Sequence, residues 1–124
     1  MDFQADDLMT EKTKPKRIEI PFNSWSTLRL LEGTKSCTSR NRIYGKVGDW
    51  FRVENIAFSL EWVSQFPLGV VRNQFWKLEG ADSPKDFERV WKSIYRGKFD
   101  EKKMVYVHFF RRIYVMPKLI GGLR

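Results

Sequence analysis

Apolar positions along the chain change period several times, and each change marks a predicted element. Residues 17–20 alternate as Arg17-Ile18-Glu19-Ile20, a short strand stopped by Pro21. Asn23 or Ser24 can cap a helix running to about Glu32, because Trp25, Leu28 and Leu31 recur at helical spacing and Gly33 follows as a stop. Residues 34–39 favour extended structure, 41–46 make a basic loop around Gly45, and Val47-Gly48-Asp49 turns into an alternating strand at 50–53. Residues 56–66 form another strand-like run with Phe58, Leu60, Trp62 and Ser64 on one face. Pro67 opens a helix carrying Leu68, Val71, Phe75 and Leu78, closed by Gly80. Ser83 caps the next helix, Pro84 suits its first turn, and Asp86 takes the acidic N3-like place. Phe87, Val90, Trp91 and Ile94 form its apolar stripe, assigned to the core. After a polar connection at 96–103, residues 104–115 make the longest strand candidate, rich in β-branched and aromatic side chains.

The order β-α-β-β-β-α-α-β lacks the regular alternation that a parallel doubly wound sheet needs. It predicts an α+β fold: a small, mixed, mostly antiparallel sheet curled into a β-barrel and flanked by helices. The length of 124 residues fits one domain, placed at 17–124, after a polar, charged tail at 1–16 that is expected to be mobile.

Charge adds a partner class to this outline. The net charge is +8, and residues 1–17 are balanced, so the excess lies in the folded body. Segment 34–52 carries Lys35, Arg40, Arg42, Lys46 and Arg52 against Asp49 alone. Such a surface favours polyanions, chiefly nucleic acid, through phosphate contacts. Aromatic residues, at 15%, are abundant enough that some can line a pocket or stack on bases while most fill the core. One cysteine, Cys37, permits no intrachain disulfide, and one histidine, His108, leaves no Cys/His metal set, so neither metal nor cofactor is expected. No apolar run approaches membrane-spanning length, so the expectation is a soluble, cytoplasmic protein with no membrane partner.

The stretch Gly33-Thr34-Lys35-Ser36-Cys37-Thr38-Ser39-Arg40 concentrates the candidate chemistry. Read alone, it fits a helix C-cap running into a strand with solvated charges. Its other reading is a turn of small side chains flanked by two cations, where an anionic or polarised ligand could approach the backbone. A lysine in a partly dry pocket can act as a base, and a neighbouring hydroxyl can become a nucleophile. Glu79, before Gly80, could supply an orienting carboxylate; its plainer reading is a solvated helix-terminal acid. His108 sits among apolar neighbours and reads as a locally bonded core residue before it reads as a base. The chain shows no Gly-rich phosphate loop with GK[ST], no HExxH and no GxSxG.

Gly33, Lys35 and Arg40 match the G-x-K-x-x-x-x-R signature of the ASCH domain, a member of the PUA-like group. The helix before the signature, the turn and strand at 47–53, the Glu79-Gly80 junction, the Ser83-Pro84 helix and the strand at 106–110 follow in the family's order, so the resemblance spans roughly residues 17–115. The chain most resembles small stand-alone archaeal and bacterial ASCH proteins. The resemblance implies a curled barrel with a cleft beside the signature, and an RNA-linked function. One bacterial branch is an amidohydrolase that removes the acetyl group of N4-acetylcytidine. Its lysine, threonine and glutamate correspond to Lys35, Thr38 and Glu79 here. Other members bind nucleic acid, and a ribonuclease activity is also described in the family. This chain is longer than that hydrolase branch and places Ser36-Cys37 between the lysine and the threonine.

Three functions follow as expectations. The first is recognition of RNA or a modified nucleoside, with Lys35, Arg40, Arg42 and Lys46 as cationic contacts and Trp50 as a stacking surface. The second is deacetylation of N4-acetylcytidine-type nucleosides, with Lys35 as base, Thr38 as nucleophile and Glu79 orienting the lysine or shuttling a proton. The third and weakest is a ribonuclease. A geometric condition separates binding from catalysis. In a straight strand Lys35 and Thr38 point to opposite faces while Thr38 and Arg40 share one, so a Lys35–Thr38 pair requires a bend at Gly33 or a bulge.

Overall fold

The computed structural model describes residues 14–115. The expected tail is thus represented only by residues 14–16, and residues 1–13 and 116–124 of the two expected segments lie outside the described residues. The elements are α1 (Ser24–Glu32), β1 (Cys37–Arg40), β2 (Trp50–Val53), β3 (Ile56–Pro67), α2 (Leu68–Gln74), α3 (Pro84–Tyr95) and β4 (Met104–Val115).

Local signals place most of these elements. The Asn23 side chain accepts the Ser26 backbone N–H at 2.8 Å and so caps α1. Gly33 ends that helix in the left-handed region at φ 85°, which glycine adopts without a Cβ clash. Ser83 accepts the Asp86 N–H at 3.0 Å to cap α3, with Pro84 at its start.

The strands form one antiparallel sheet in the order β1-β4-β3-β2, curled into a half-barrel with the helices packed on it. Among the described residues the mixed character expected from sequence reduces to one parallel bridge, Arg17 with Trp50. Residues 17–20 therefore make no full strand. Two hydrogen bonds join this segment to Trp50, from Ile18 N–H and to the Lys16 carbonyl, and the alternation shows instead in the burial of Ile18 and Ile20.

Two further expectations need correcting. Phe58, Leu60, Trp62 and Ser64 do not share a face. The pairing steps from Leu60 with Phe110 to Trp62 with Phe109, so Glu61 is an extra residue and the bulge reverses the alternation. Phe58 and Leu60 lie in one cluster with Leu30, Phe51 and Phe110, whereas Trp62 stacks on Phe109 at 5.0 Å on the other face. The helix after Pro67 also ends at Gln74 and not near Gly80. The Leu78 carbonyl accepts the Ser36 and Cys37 N–H groups, so the segment that would continue the helix is drawn onto the entry of β1. Leu78 is consequently exposed, as is Ile94 on α3.

The core divides along the two sheet faces. Leu30 of α1 packs with Phe51, Phe58, Leu60 and Phe110 on one. On the other, Leu68 and Val71 of α2 and Phe87 and Trp91 of α3 pack with Cys37, Val105 and Val107. Among the described residues β1 pairs with one strand, β4. The candidate site forms along its other edge.

Candidate functional site

Lys35 lies in the turn between Gly33 and β1, not within the strand. The Thr34 and Lys35 N–H groups both return to the Arg29 carbonyl, so the chain folds back over the end of α1 before it extends. From this turn Lys35 Nζ donates to Glu79 Oε1 at 3.1 Å and to the Glu79 carbonyl at 3.0 Å. Both side chains are almost fully buried, at 3% and 6% exposure. Gly80 makes the approach possible: its φ is 95°, and a Cβ there would lie 3.2 Å from Lys35 Cβ and 3.1 Å from Arg29 Cδ.

The second oxygen of the same carboxylate is also engaged. Ser39 Oγ donates to Glu79 Oε2 at 2.5 Å, a short bond of the kind a hydroxyl makes to an anion. The Cys37 thiol, on the same strand face, is pushed well above its usual pKa by burial first and by the Glu79 charge second, so it stays a neutral thiol. One face of the segment thus presents Lys35, Cys37 and Ser39 to a single carboxylate.

Thr38 and Arg40 use the other face. Arg40 Nε donates to Thr38 Oγ1 at 3.1 Å and Nη2 to the Pro21 carbonyl at 2.7 Å. The guanidinium also lies over the Phe22 and Tyr44 rings, 4.9 Å and 5.5 Å from their centroids. Arg40 therefore ties the approach to α1 and the loop after β1 to the strand. Beneath it, the Tyr44 N–H donates to His108 Nε2 at 3.0 Å. That bond leaves the ring proton on Nδ1, which faces the Thr38 carbonyl at 3.4 Å. Burial, the largest influence, lowers the His108 pKa, so the ring is held neutral.

Both faces meet at one cavity of about 140 Å³. Its lining combines the polar Lys35, Thr38, Ser39, Arg40 and Glu79 with the aromatic Trp25, Phe87, Trp91 and Tyr95. The edge position of β1 resolves the condition set by strand alternation: its outer side is bonded only at its entry, by the Leu78 carbonyl, and side chains from both faces border the same space.

No family model matches the chain, and no curated protein does. Solved structures do match. The crystal structure of an ASCH domain from Lactobacillus crispatus aligns with a TM-score of 0.57 and 16% identity over 85% of this chain and 84% of that one. The chain has the ASCH-domain fold. A protein of Enterococcus faecalis assigned to the family model DUF984 aligns with a TM-score of 0.52 and 12% identity, over 88% and 85% of the two chains.

Within this ASCH fold, four of the residues singled out from sequence come together at the cavity: Lys35, Thr38, Arg40 and Glu79. Three do not line it. Arg42 lies over the Tyr44 ring at 3.9 Å, Lys46 Nζ pairs with Asp49 Oδ1 at 3.8 Å, and Trp50 carries Arg17 over its ring at 5.6 Å. Lys35 and Thr38 share the cavity without a mutual hydrogen bond; each has other partners. Sequence reasoning missed Ser39, although strand alternation counted forward from Lys35 reaches Cys37 and Ser39. It also gave Trp91 wholly to the core, where it forms cavity wall as well. Among the described residues no group of three or more His, Cys, Asp or Glu side chains could hold a metal ion, and no helix is long and apolar enough to cross a membrane.

Proposed function

We propose that this ASCH domain recognises a nucleobase, within RNA or in a modified nucleoside, in the cavity beside the G-x-K-x-x-x-x-R stretch. The carrying observation is the match between the cavity's size and its walls. Its volume of about 140 Å³ resembles the roughly 150 Å³ that accepts a single benzene-sized ring. Aromatic side chains together with hydrogen-bonding groups in one lining suit a planar ring with polar edges. The net charge of +8, with Arg42, Lys46 and Trp50 outside the cavity, favours a phosphodiester chain leading away from the bound base.

Intrinsic tryptophan fluorescence provides the test, with nucleosides and short single-stranded RNAs as titrants. Saturable binding is expected, with RNA affinity falling linearly on a log–log plot against salt. Tyr95, half-exposed on the cavity wall, is the side chain to truncate. Loss of one stacking surface costs about 1–3 kcal/mol. No binding by any nucleoside or RNA, or equal binding in Tyr95→Ala, overturns the proposal.

A second reading, hydrolysis of an acylated nucleoside, is favoured by one specific observation. A hydroxyl, a carboxylate and an ammonium group are hydrogen-bonded in series at the cavity: Ser39, Glu79 and Lys35. Release of cytidine from N4-acetylcytidine by the purified protein, lost in Glu79→Gln, is the expected result; a preparation that releases none removes this reading.

A further inference from the structure

We propose that Ser39, and not Thr38, is the nucleophilic hydroxyl of this site. The proposal rests on the hydrolytic reading and names the atom that would carry it out.

The two hydroxyls differ in what their hydrogen bonds do to the oxygen. Ser39 Oγ donates its proton to the Glu79 carboxylate at 2.5 Å. That polarises the O–H bond and leaves the oxygen lone pairs available. Thr38 Oγ1 instead accepts a hydrogen bond from the Arg40 guanidinium at 3.1 Å. A cation on the lone pair withdraws electron density, so that oxygen is a poorer nucleophile. Glu79 is itself oriented, with Oε1 and its carbonyl held by Lys35 Nζ and only Oε2 left for the serine. A nucleophile, a proton acceptor and a group that orients the acceptor follow one another as in other activated-hydroxyl sites. Cys37, the other candidate on this face, is fully buried and does not line the cavity.

The step balances with water as the only co-reactant. Ser39 Oγ bonds to the acyl carbon of an amide while its proton passes to Glu79 Oε2, and the carbonyl π pair moves onto oxygen. Lys35 lines the cavity and uses two of its three N–H donors on Glu79, and the third would serve that oxyanion. Collapse breaks the C–N bond, and Glu79 returns the proton to the departing amine. Water then attacks the acyl-serine, giving the carboxylic acid and restoring the Ser39 hydroxyl.

The test uses the full chain with p-nitrophenyl acetate, following p-nitrophenolate release and mapping the acetyl group by peptide mass spectrometry. The wild type is expected to acquire an acetyl group on Ser39. Ser39→Ala, checked for native circular dichroism, is expected to release p-nitrophenolate at least about tenfold more slowly. In Thr38→Val the acetyl group is expected still to map to Ser39. Acetylation of Thr38 or Lys35 in place of Ser39, or a wild type with no acetyl group on residues 35–39, overturns the proposal. A parallel nucleoside titration separates the two readings. Binding without acylation removes the nucleophile and leaves recognition. Acylation of Ser39 without nucleoside binding supports the nucleophile and removes nucleoside recognition.

Discussion

Removing one member of the Lys35–Glu79 pair should cost far more stability than its bond length suggests. The pair is 3.1 Å long, whereas the pair of Arg89 with Asp86 on α3 is 2.6 Å. Length is not decisive here. The Arg89 side chain is 66% exposed and those of Lys35 and Glu79 only 3% and 6%. Water screens the helix-surface pair, which is worth about 0.3–0.5 kcal/mol. A buried charge stripped of its partner has no such screening, and the loss is about 3–5 kcal/mol. Lys35→Met should therefore lower stability by about that amount, because Glu79 keeps its Ser39 bond but loses both the ammonium and the neutralising charge. Against a typical domain stability of about 5–15 kcal/mol, this is a large fraction. Urea unfolding at neutral pH, compared through midpoints at unchanged slope, measures it. The double variant Lys35→Met with Glu79→Gln removes both charges of the pair and should recover much of the loss. Arg89→Ala serves as the surface control. A Lys35→Met loss below about 1 kcal/mol, or a double variant whose loss equals the sum of the singles, refutes the reasoning.

Two other outcomes follow from the same neighbourhood. His108 has a lowered pKa in the fold, so the unfolded chain binds more protons as pH falls; its contribution to stability is complete above about pH 6.5 and is lost as pH drops towards the folded value. Urea midpoints should fall between about pH 7 and pH 5 in the wild type and fall less in His108→Gln; Asp86 and Glu88, both lowered and beginning to lose their contribution near their ordinary pKa, act equally in the two proteins. Gly80→Ala should destabilise the chain by about 1–2 kcal/mol through its left-handed backbone alone, with the Lys35 and Arg29 contacts adding to the cost, and an unchanged urea midpoint would contradict the close approach.

The elements legible in the sequence were those written in residues adjacent along the chain. The Asn23 and Ser83 caps, the Gly33 stop and the apolar strand 104–115 act within a turn or a few residues, so α1, α3 and β4 appear where the pattern puts them. The spacing of Gly33, Lys35 and Arg40 likewise pointed to the stretch that borders the cavity, since it depends on one turn and one short strand. Only the tertiary structure decided the rest. The Glu61 bulge reverses the faces of β3 because pairing with β4, not local propensity, sets the register. The α2 helix stops early because Leu78 bonds a strand entry some forty residues before it in the chain. Lys35 and Glu79 are 44 positions apart, and neither residue's own surroundings in sequence separate a buried partner from a solvated charge. The choice between Thr38 and Ser39 was also tertiary. Both hydroxyls reach the cavity from an edge strand, and only the positions of Glu79 and Arg40 around them distinguish a hydroxyl that donates to a carboxylate from one that accepts from a cation.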